Sequence, residues 1–138
     1  YYFSKYPTDK LTRVVMLGPP NKGSQVADNL QSWEIFKSIN GPAGQQLSTS
    51  TESFVNQLPA ANFEVGIVAG TKTFNPILSL MLPNPDDGKV TLENTKVEGM
   101  KDFIALPVTH TFMMKNKKVI KQVVLFLRNG QFDHELIN

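Results

Sequence analysis

The sequence predicts an α/β domain with about three parallel strands flanked by helices. Three nearly continuous apolar segments lie at 11–18, 63–70 and 102–108, each bounded by glycine, proline or polar residues. Apolar runs without alternation are typical of strands covered on both faces. Helix-compatible segments lie between and after them, and this alternation is the pattern of a parallel α/β sheet. The 138 residues have the size of one domain.

The N-terminal part is predicted to contain the end of a helix, a strand, a loop and a second helix. YYFSKYP is typical of the last turns of a helix that stops at Pro7. The apolar strand residues 14–17 lead into the loop GPPNKGS at 18–24. A helix is then predicted to begin at Ser24, a suitable N-cap residue. Three apolar residues share one face of this helix: Val26, Leu30 and Trp33.

Residues 38–62 are rich in Gly, Pro, Ser and Thr, which indicates a long excursion outside the sheet with a short helix near 51–57. After the second strand, a surface segment leads to an acidic turn and then to KVTLENT (89–95), which is predicted to begin with a short strand. The last element is a helix over 116–130 with Gly130 as its C-cap. Its apolar stripe contains Val119, Val123 and Leu127, with Ile120 and Val124 beside it.

Composition argues against several functional classes. A net charge of +2 is too small to favour nucleic acid or an anionic membrane, and the lysines within 115–121 are interpreted as a solvated helix start. The absence of cysteine excludes a disulfide scaffold and a thiolate nucleophile, and it leaves the compartment open. No apolar run approaches the roughly 20 residues of a membrane helix. Two distant histidines form no ligand cluster, so neither a metal nor a cofactor is predicted.

The loop GPPNKGS has the strand–loop–helix setting of a phosphate-binding turn, but its residues do not suit that function. A P-loop has Lys directly after its second glycine, whereas Ser24 follows Gly23 here. Pro19 and Pro20 also remove two backbone N–H donors. We therefore interpret it as an exit loop from a strand.

The strongest candidate site combines the acidic turn PNPDDG (83–88) with His110. Asp87 and His110 are 23 positions apart, and both follow predicted strands, where parallel sheets place their ligand sites. A carboxylate bonded to one imidazole nitrogen fixes the tautomer and leaves the other nitrogen as a base. The residues alone favour the other interpretation, a structural histidine and two turn residues, Asp86 and Asp87.

Three segments, in order, resemble the C-terminal half of the lipase/esterase branch of the α/β-hydrolase superfamily. VVMLGPPNKGS (14–24) resembles the strand after the nucleophile and its G-x-P-H-x-G-S loop, with Asn21 in place of the usual His. DDGKV resembles the turn of the triad acid, which would be Asp87. VTHTFMM resembles the turn of the triad base, which would be His110. The resemblance spans nearly the whole chain and implies that 1–138 is one partial α/β-hydrolase domain.

The resemblance implies a fragment of a serine hydrolase that acts on small-molecule esters or lipids. Its nucleophile should lie in a G-x-S-x-G elbow. The 138 residues contain no such motif, so the resemblance places the serine before Tyr1 and implies that the chain alone is inactive. Ser24 is the best internal substitute, but it lacks the second glycine of the elbow. Calcium, which many such lipases bind near the triad His, is not expected because 111–116 contain no acid.

The resemblance also assigns 25–62 to the position of a cap or lid. Its apolar residues would contact an acyl chain or, as we rather expect, packed core: Trp33, Phe36, Ile39, Leu47, Phe54 and Leu58. Strand 12–17 would lack a neighbour on one side, so we expect the missing N-terminal half or an oligomer partner to cover it. His134, in the C-terminal tail, is expected to be solvated.

Two other functions stay open at this stage. One is a non-catalytic α/β binding or interaction module, in which Asp87 and His110 are structural. The other is an acyltransferase that uses the same triad with an alcohol acceptor. A separation of more than about 4 Å between the two side chains would exclude the triad.

Overall fold

A computed structural model describes residues 2–24, 28, 47–73, 87 and 90–137. The centre of the fold is a sheet of three parallel strands in the order β1 (Arg13–Leu17), β2 (Glu64–Gly70) and β3 (Asp102–Leu106). Val15 pairs with Gly66 in β2, and Gly66 pairs with Asp102 in β3. The predicted α/β class, the three strands and their parallel arrangement are confirmed.

Three α-helices that lie wholly within the described residues accompany the sheet: α1 (Tyr2–Lys5), α2 (Leu92–Thr95) and α3 (Lys117–Asn129). Short 3₁₀ segments cover Phe54–Gln57, His110–Lys115 and His134–Ile137. The helix predicted near 51–57 is therefore a 3₁₀ segment. Most of the helix predicted from Ser24 lies outside the described residues, as do residues 38–46 of the excursion. The role of 25–62 as a cap stays a prediction. No helix in the described part of the chain is long and apolar enough to cross a bilayer.

The strands differ in burial because of their places in the sheet. In β2, the central strand, every residue after Glu64 is buried. In β1, Arg13 to Met16 are only partly buried and Leu17 is 37% exposed. Strand β1 is therefore less buried than predicted, and within the described residues it pairs with β2 alone.

The core lies between the sheet and α3. Its buried residues come from both elements and from the segments flanking them: Val68, Ile104, Leu106, Val108, Met113, Val119, Phe126 and Phe132. The ring centroids of Phe126 and Phe132 lie 4.9 Å apart. A Cβ at Gly66 would lie 2.6 Å from two ring atoms of Phe126, so the missing side chain of Gly66 lets α3 approach β2. Phe54, expected to pack in the core, is instead 43% exposed.

The segment 89–95, predicted to start with a strand, contains a helix. Thr91 makes an isolated strand-type bridge and then caps α2, since its Oγ1 accepts a hydrogen bond from the Asn94 N–H at 3.3 Å. A β-branched residue followed by an apolar one favoured a strand, but the threonine hydroxyl serves as an N-cap here.

The buried face of α3 also differs from the predicted stripe. Its buried residues are Val119, Gln122 and Phe126, whereas Ile120, Val124 and Leu127 are 48%, 40% and 46% exposed. Gln122 is buried because its amide bonds both polar backbone groups of Asp133, at 2.7 and 2.8 Å. The prediction of Gly130 as C-cap is confirmed: it has φ 78°, and its N–H donates to Phe126 at 2.7 Å.

A charged cluster joins the amino ends of the strands to the end of α3. The Glu64 carboxylate accepts hydrogen bonds from Lys101 and, at 2.7 Å, from Nε of Arg13. Nη1 of Arg13 also donates to the carbonyls of Leu127 and Arg128 at 3.0 and 2.8 Å. The hydrogen bond from Lys101, followed by that from Arg13, lowers the pKa of Glu64.

Candidate active site

Three chain segments meet at the carboxyl edge of the sheet. Gly18 follows β1 and continues the pairing, because its N–H donates to Val68 at 2.8 Å. Gly70 ends β2, and its neighbour Thr71 donates its N–H to Leu106 at 3.0 Å. After β3 the chain turns into the 3₁₀ segment that begins at His110. This edge is where parallel sheets bind their ligands.

Asp87 lies over this edge, and both its backbone N–H and its carboxylate are hydrogen-bonded to Val90. Its backbone N–H donates to Val90 at 3.2 Å, and its Oδ1 accepts the Val90 N–H at 2.9 Å. The side chain is 1% exposed. A buried carboxylate needs hydrogen-bond donors, and the turn to Val90 supplies one of them. The neighbouring Asp86, also named from the sequence, lies outside the described residues.

His110 makes two hydrogen bonds to Asp87. Its backbone N–H donates to the Asp87 carbonyl at 3.0 Å, and its Nδ1 lies 2.8 Å from Oδ2. An ionised carboxylate only accepts hydrogen bonds, and in a contact with it Nδ1 is the donor. The imidazole is 28% exposed, and none of the described residues bonds Nε2. The arrangement leaves Nε2 able to take a proton from a group that approaches the edge.

The loop after β1 is fixed to α2, which follows the Asp87 turn. The Lys22 N–H donates to Asn94 at 3.0 Å, and the Asn94 amide donates to Gly23 at 3.2 Å. Asn21, at the position of the family histidine, donates its amide to the Thr95 carbonyl at 2.8 Å. These bonds give Asn21 a structural contact and join the loop to the segment that carries the acid.

Ser24, the internal alternative nucleophile, is 8% exposed. Its N–H donates to Leu47 at 2.8 Å, and its carbonyl accepts the Asp28 N–H at 3.2 Å. The second bond has the i to i+4 spacing of an α-helix, which agrees with Ser24 as the start of a helix. Burial at a helix start does not favour attack on a substrate.

His134 is 53% exposed at its side chain, as expected for a solvated tail, but it is also hydrogen-bonded. Its Nε2 lies 3.0 Å from Oδ1 of Asp102. Asp102 begins β3, so this pair lies at the opposite edge of the sheet from His110. Within the described ranges, no three His, Asp or Glu side chains are grouped so that they could hold a metal ion.

Sequence reasoning missed the glycines against which the pair rests. A Cβ built on Gly18 would lie 3.0 Å from both Oδ2 of Asp87 and Nδ1 of His110. A Cβ on Gly70 would lie 2.7 Å from Cβ of Asp87. The available signal was that a glycine ends each of the first two apolar strands.

The three-stranded parallel sheet and its flanking helices are consistent with a partial α/β-hydrolase fold. Among solved structures, the chain is similar to the mature form of the Bacillus licheniformis lipase BlEst2, with a TM-score of 0.59 and 20% identity over 85% of this chain and 54% of the lipase. For the propeptide form of that lipase the TM-score is 0.58 and the identity 21%, over 84% of this chain and 29% of the other. The chain thus spans about half of the mature lipase. No protein-family model matches the sequence, and neither does a curated protein sequence.

Proposed function

We propose that this chain carries the acid–base half of a lipase- or esterase-like serine hydrolase, with Asp87 as the orienting acid and His110 as the general base. The observation that carries the proposal is the 2.8 Å contact between Nδ1 of His110 and Oδ2 of Asp87 at the carboxyl edge of the sheet. Nε2, on the other side of the ring, is then positioned to take the proton of a serine nucleophile.

In the proposed reaction a serine hydroxyl attacks the carbonyl carbon of a small-molecule ester or lipid. Nε2 of His110 takes the hydroxyl proton, and the resulting imidazolium donates it to the leaving alcohol. Water then repeats the sequence on the acyl-enzyme and releases the acid. Asp87 remains ionised throughout and stabilises the imidazolium through Oδ2.

The nucleophile is proposed to come from a segment before Tyr1, so that the chain corresponds to the C-terminal half of the fold. Two findings support this: the 138 residues contain no G-x-S-x-G, and the chain spans 54% of the mature lipase that it resembles. We expect no ester hydrolysis from the 138 residues alone, because removal of the nucleophile abolishes most catalysis by a triad.

The exposed surface around β1 supports the proposal that a further segment covers it. Within the described residues β1 has a partner on one side only, and Leu17 is exposed at its end. Ile120, Val124 and Leu127 of α3 form an exposed apolar stripe. An apolar strand with unpaired backbone groups favours strand addition. We propose that the N-terminal half of the enzyme covers this side, with an oligomer partner as the alternative.

The first experiment is to read the gene upstream of Tyr1 in frame. A G-x-S-x-G between an apolar strand and a helix supports the proposal; a start codon close to Tyr1 without that motif contradicts it. The longer product is then assayed with p-nitrophenyl esters of increasing chain length. We expect His110→Ala and Asp87→Asn each to reduce turnover by several orders of magnitude, and His134→Ala, the matched control, to retain it.

Ester hydrolysis that survives His110→Ala would reject the proposal and favour a non-catalytic role for the pair. A fluorophosphonate probe tests the internal alternative in the 138-residue chain. Covalent labelling that is lost in Ser24→Ala would identify Ser24 as the nucleophile and contradict an upstream serine. Product analysis in the presence of an alcohol separates hydrolysis from acyl transfer.

A further inference from the structure

We propose that Gly18 is a positioning residue that sets the orientation and tautomer of His110, an inference that rests on the proposed acid–base role of the pair. Gly18 is buried and follows β1 directly, with its N–H fixed to Val68 at 2.8 Å. Its backbone therefore has a defined place relative to the central strand.

The space beside the Asp87–His110 hydrogen bond is so tight that a side chain at Gly18 requires a neighbouring group to move by a few tenths of an ångström. A Cβ at Gly18 would lie 3.0 Å from Oδ2 of Asp87, 3.0 Å from Nδ1 of His110 and 3.2 Å from Cε1 of His110. Oδ2 and Nδ1 are the two atoms joined by the hydrogen bond, and Cε1 is the ring carbon bonded to Nδ1. Asp87 cannot easily yield, because it is bonded to Val90 through Oδ1 and to the His110 N–H through its carbonyl.

Gly70 limits movement on the other side of the acid. A Cβ there would lie 2.7 Å from Cβ of Asp87 and 2.4 Å from the Val108 carbonyl. Asp87 therefore rests against the ends of two strands, and a group added at Gly18 has to displace the imidazole instead. Gly18 also has φ 54°, a left-handed conformation in which alanine is strained and asparagine is better tolerated.

The test is the ring ¹⁵N spectrum of His110 at alkaline pH, where neutral imidazole tautomers are distinguished. In the unmodified chain we expect the proton on Nδ1. Gly18→Ala is expected to shift both ring signals towards a mixture of tautomers. Gly18→Asn carries the same Cβ at a lower backbone cost and is the variant of choice if the alanine chain does not fold.

Gly130→Ala is the matched control. Gly130 also has a positive φ, 78°, but a Cβ there would meet the ends of flexible side chains, 2.9 Å from Nζ of Lys101 and 3.2 Å from Nε of Arg13. Gly130→Ala introduces the same kind of backbone strain as Gly18→Ala, but it does so at the other edge of the sheet. Its His110 signals should match those of the unmodified chain. His134 is the internal reference, since the chain has two histidines.

Unchanged His110 signals in folded Gly18→Asn would overturn the proposal and leave Gly18 as a turn residue only. A shift in Gly130→Ala of the same size as in the Gly18 variants would also overturn it, because general strain would then be the cause. The readout needs no ester turnover. A tautomer shift in a protein whose ester hydrolysis survives His110→Ala would support the positioning role while rejecting the hydrolase function.

Discussion

His110 is joined to Asp87 by two hydrogen bonds, one from its backbone N–H at 3.0 Å and one from its ring Nδ1 at 2.8 Å. The two bonds act on different parts of the same residue. The backbone bond sets the place of Cα, and the ring bond sets the plane and rotation of the imidazole. Together they fix the direction of Nε2 before any substrate binds, which is what a general base requires.

The two histidines should hold opposite tautomers. His110 contacts its carboxylate through Nδ1, whereas His134 contacts Asp102 through Nε2. Asp87→Asn should move the His110 proton to Nε2, because the amide can keep the Val90 bond through its oxygen and then presents NH₂ to Nδ1. Ring ¹⁵N spectra measure this. The same variant should lower kcat of the longer enzyme by about 10⁴-fold.

His134 provides the comparison within each spectrum. Its signals should not change in Asp87→Asn, because its partner Asp102 lies at the other edge of the sheet. Equal changes at both histidines would indicate a global effect of the substitution and contradict the assignment.

Thr109→Val should leave the protein as stable or stabilise it by about 1 kcal/mol. Oγ1 of Thr109 is a buried side-chain atom without a hydrogen-bond partner among the described residues, and valine removes its desolvation cost while keeping the shape. Urea unfolding gives the difference. Thr95→Val is the control: Thr95 is 1% exposed and its Oγ1 donates to Leu92 at 2.7 Å, so this change should destabilise. Destabilisation by Thr109→Val would show that its hydroxyl has a partner.

Gly66→Ala should destabilise the fold by about 1–3 kcal/mol, because the added methyl overlaps the ring of Phe126. Phe126→Leu should also destabilise, since it shortens a fully buried side chain. The double variant should be more stable than the sum of the single changes predicts, by about 0.5–3 kcal/mol in a double-mutant cycle. Additive effects would mean that the two residues do not share the space between β2 and α3.

Glu64→Gln should reduce stability at neutral pH and lose this effect in acid. Hydrogen bonds from Lys101 and then Arg13 lower the pKa of Glu64 below its ordinary value of 4.5. A lowered folded-state pKa stabilises above the unfolded value, and the contribution disappears as the pH falls through the folded value. Urea midpoints from neutral pH to about pH 3 should therefore converge for the two proteins.

Because the carboxylate is accessible to solvent, the effect should be small and should weaken with salt. Glu52→Gln, at an exposed carboxylate without an ion-pair partner in the described ranges, serves as the control. A difference between the original and Glu64→Gln proteins that grows in acid would contradict the charge cluster.

The sheet could be predicted because each strand is continuously apolar after its first, charged residue. Residues 65–70 lie between two other strands, so the local pattern and the final environment agree. The prediction of burial failed where contacts with residues distant in the sequence determine which side chains are buried. Gln122 is buried only because Asp133, 11 residues later, satisfies its amide. Ile120 and Val124 are exposed because that contact turns another face of α3 towards the sheet.

The two polar residues of the candidate site could be found from their spacing and from the resemblance to lipases. The glycines around them could not be assigned the same role. Glycine is frequent in the tight turns that follow apolar strands. Nothing in the sequence shows which side chains pack against it. Only the three-dimensional contact of Gly18 with both partners of a hydrogen bond distinguishes it from Gly99, which faces the backbone of Ala61.

The contact of Arg13 with the last turn of α3 bears on how the chain is synthesised. Arg13 binds carbonyls that lie 114 and 115 positions later. Contacts of such long sequence separation form late and slow folding. During translation β1 leaves the ribosome long before α3 exists, so Arg13 and the face of β1 that packs on α3 stay uncovered until α3 is made. We therefore expect the nascent chain to depend on chaperones until α3 emerges, and premature termination before α3 to yield an aggregating product.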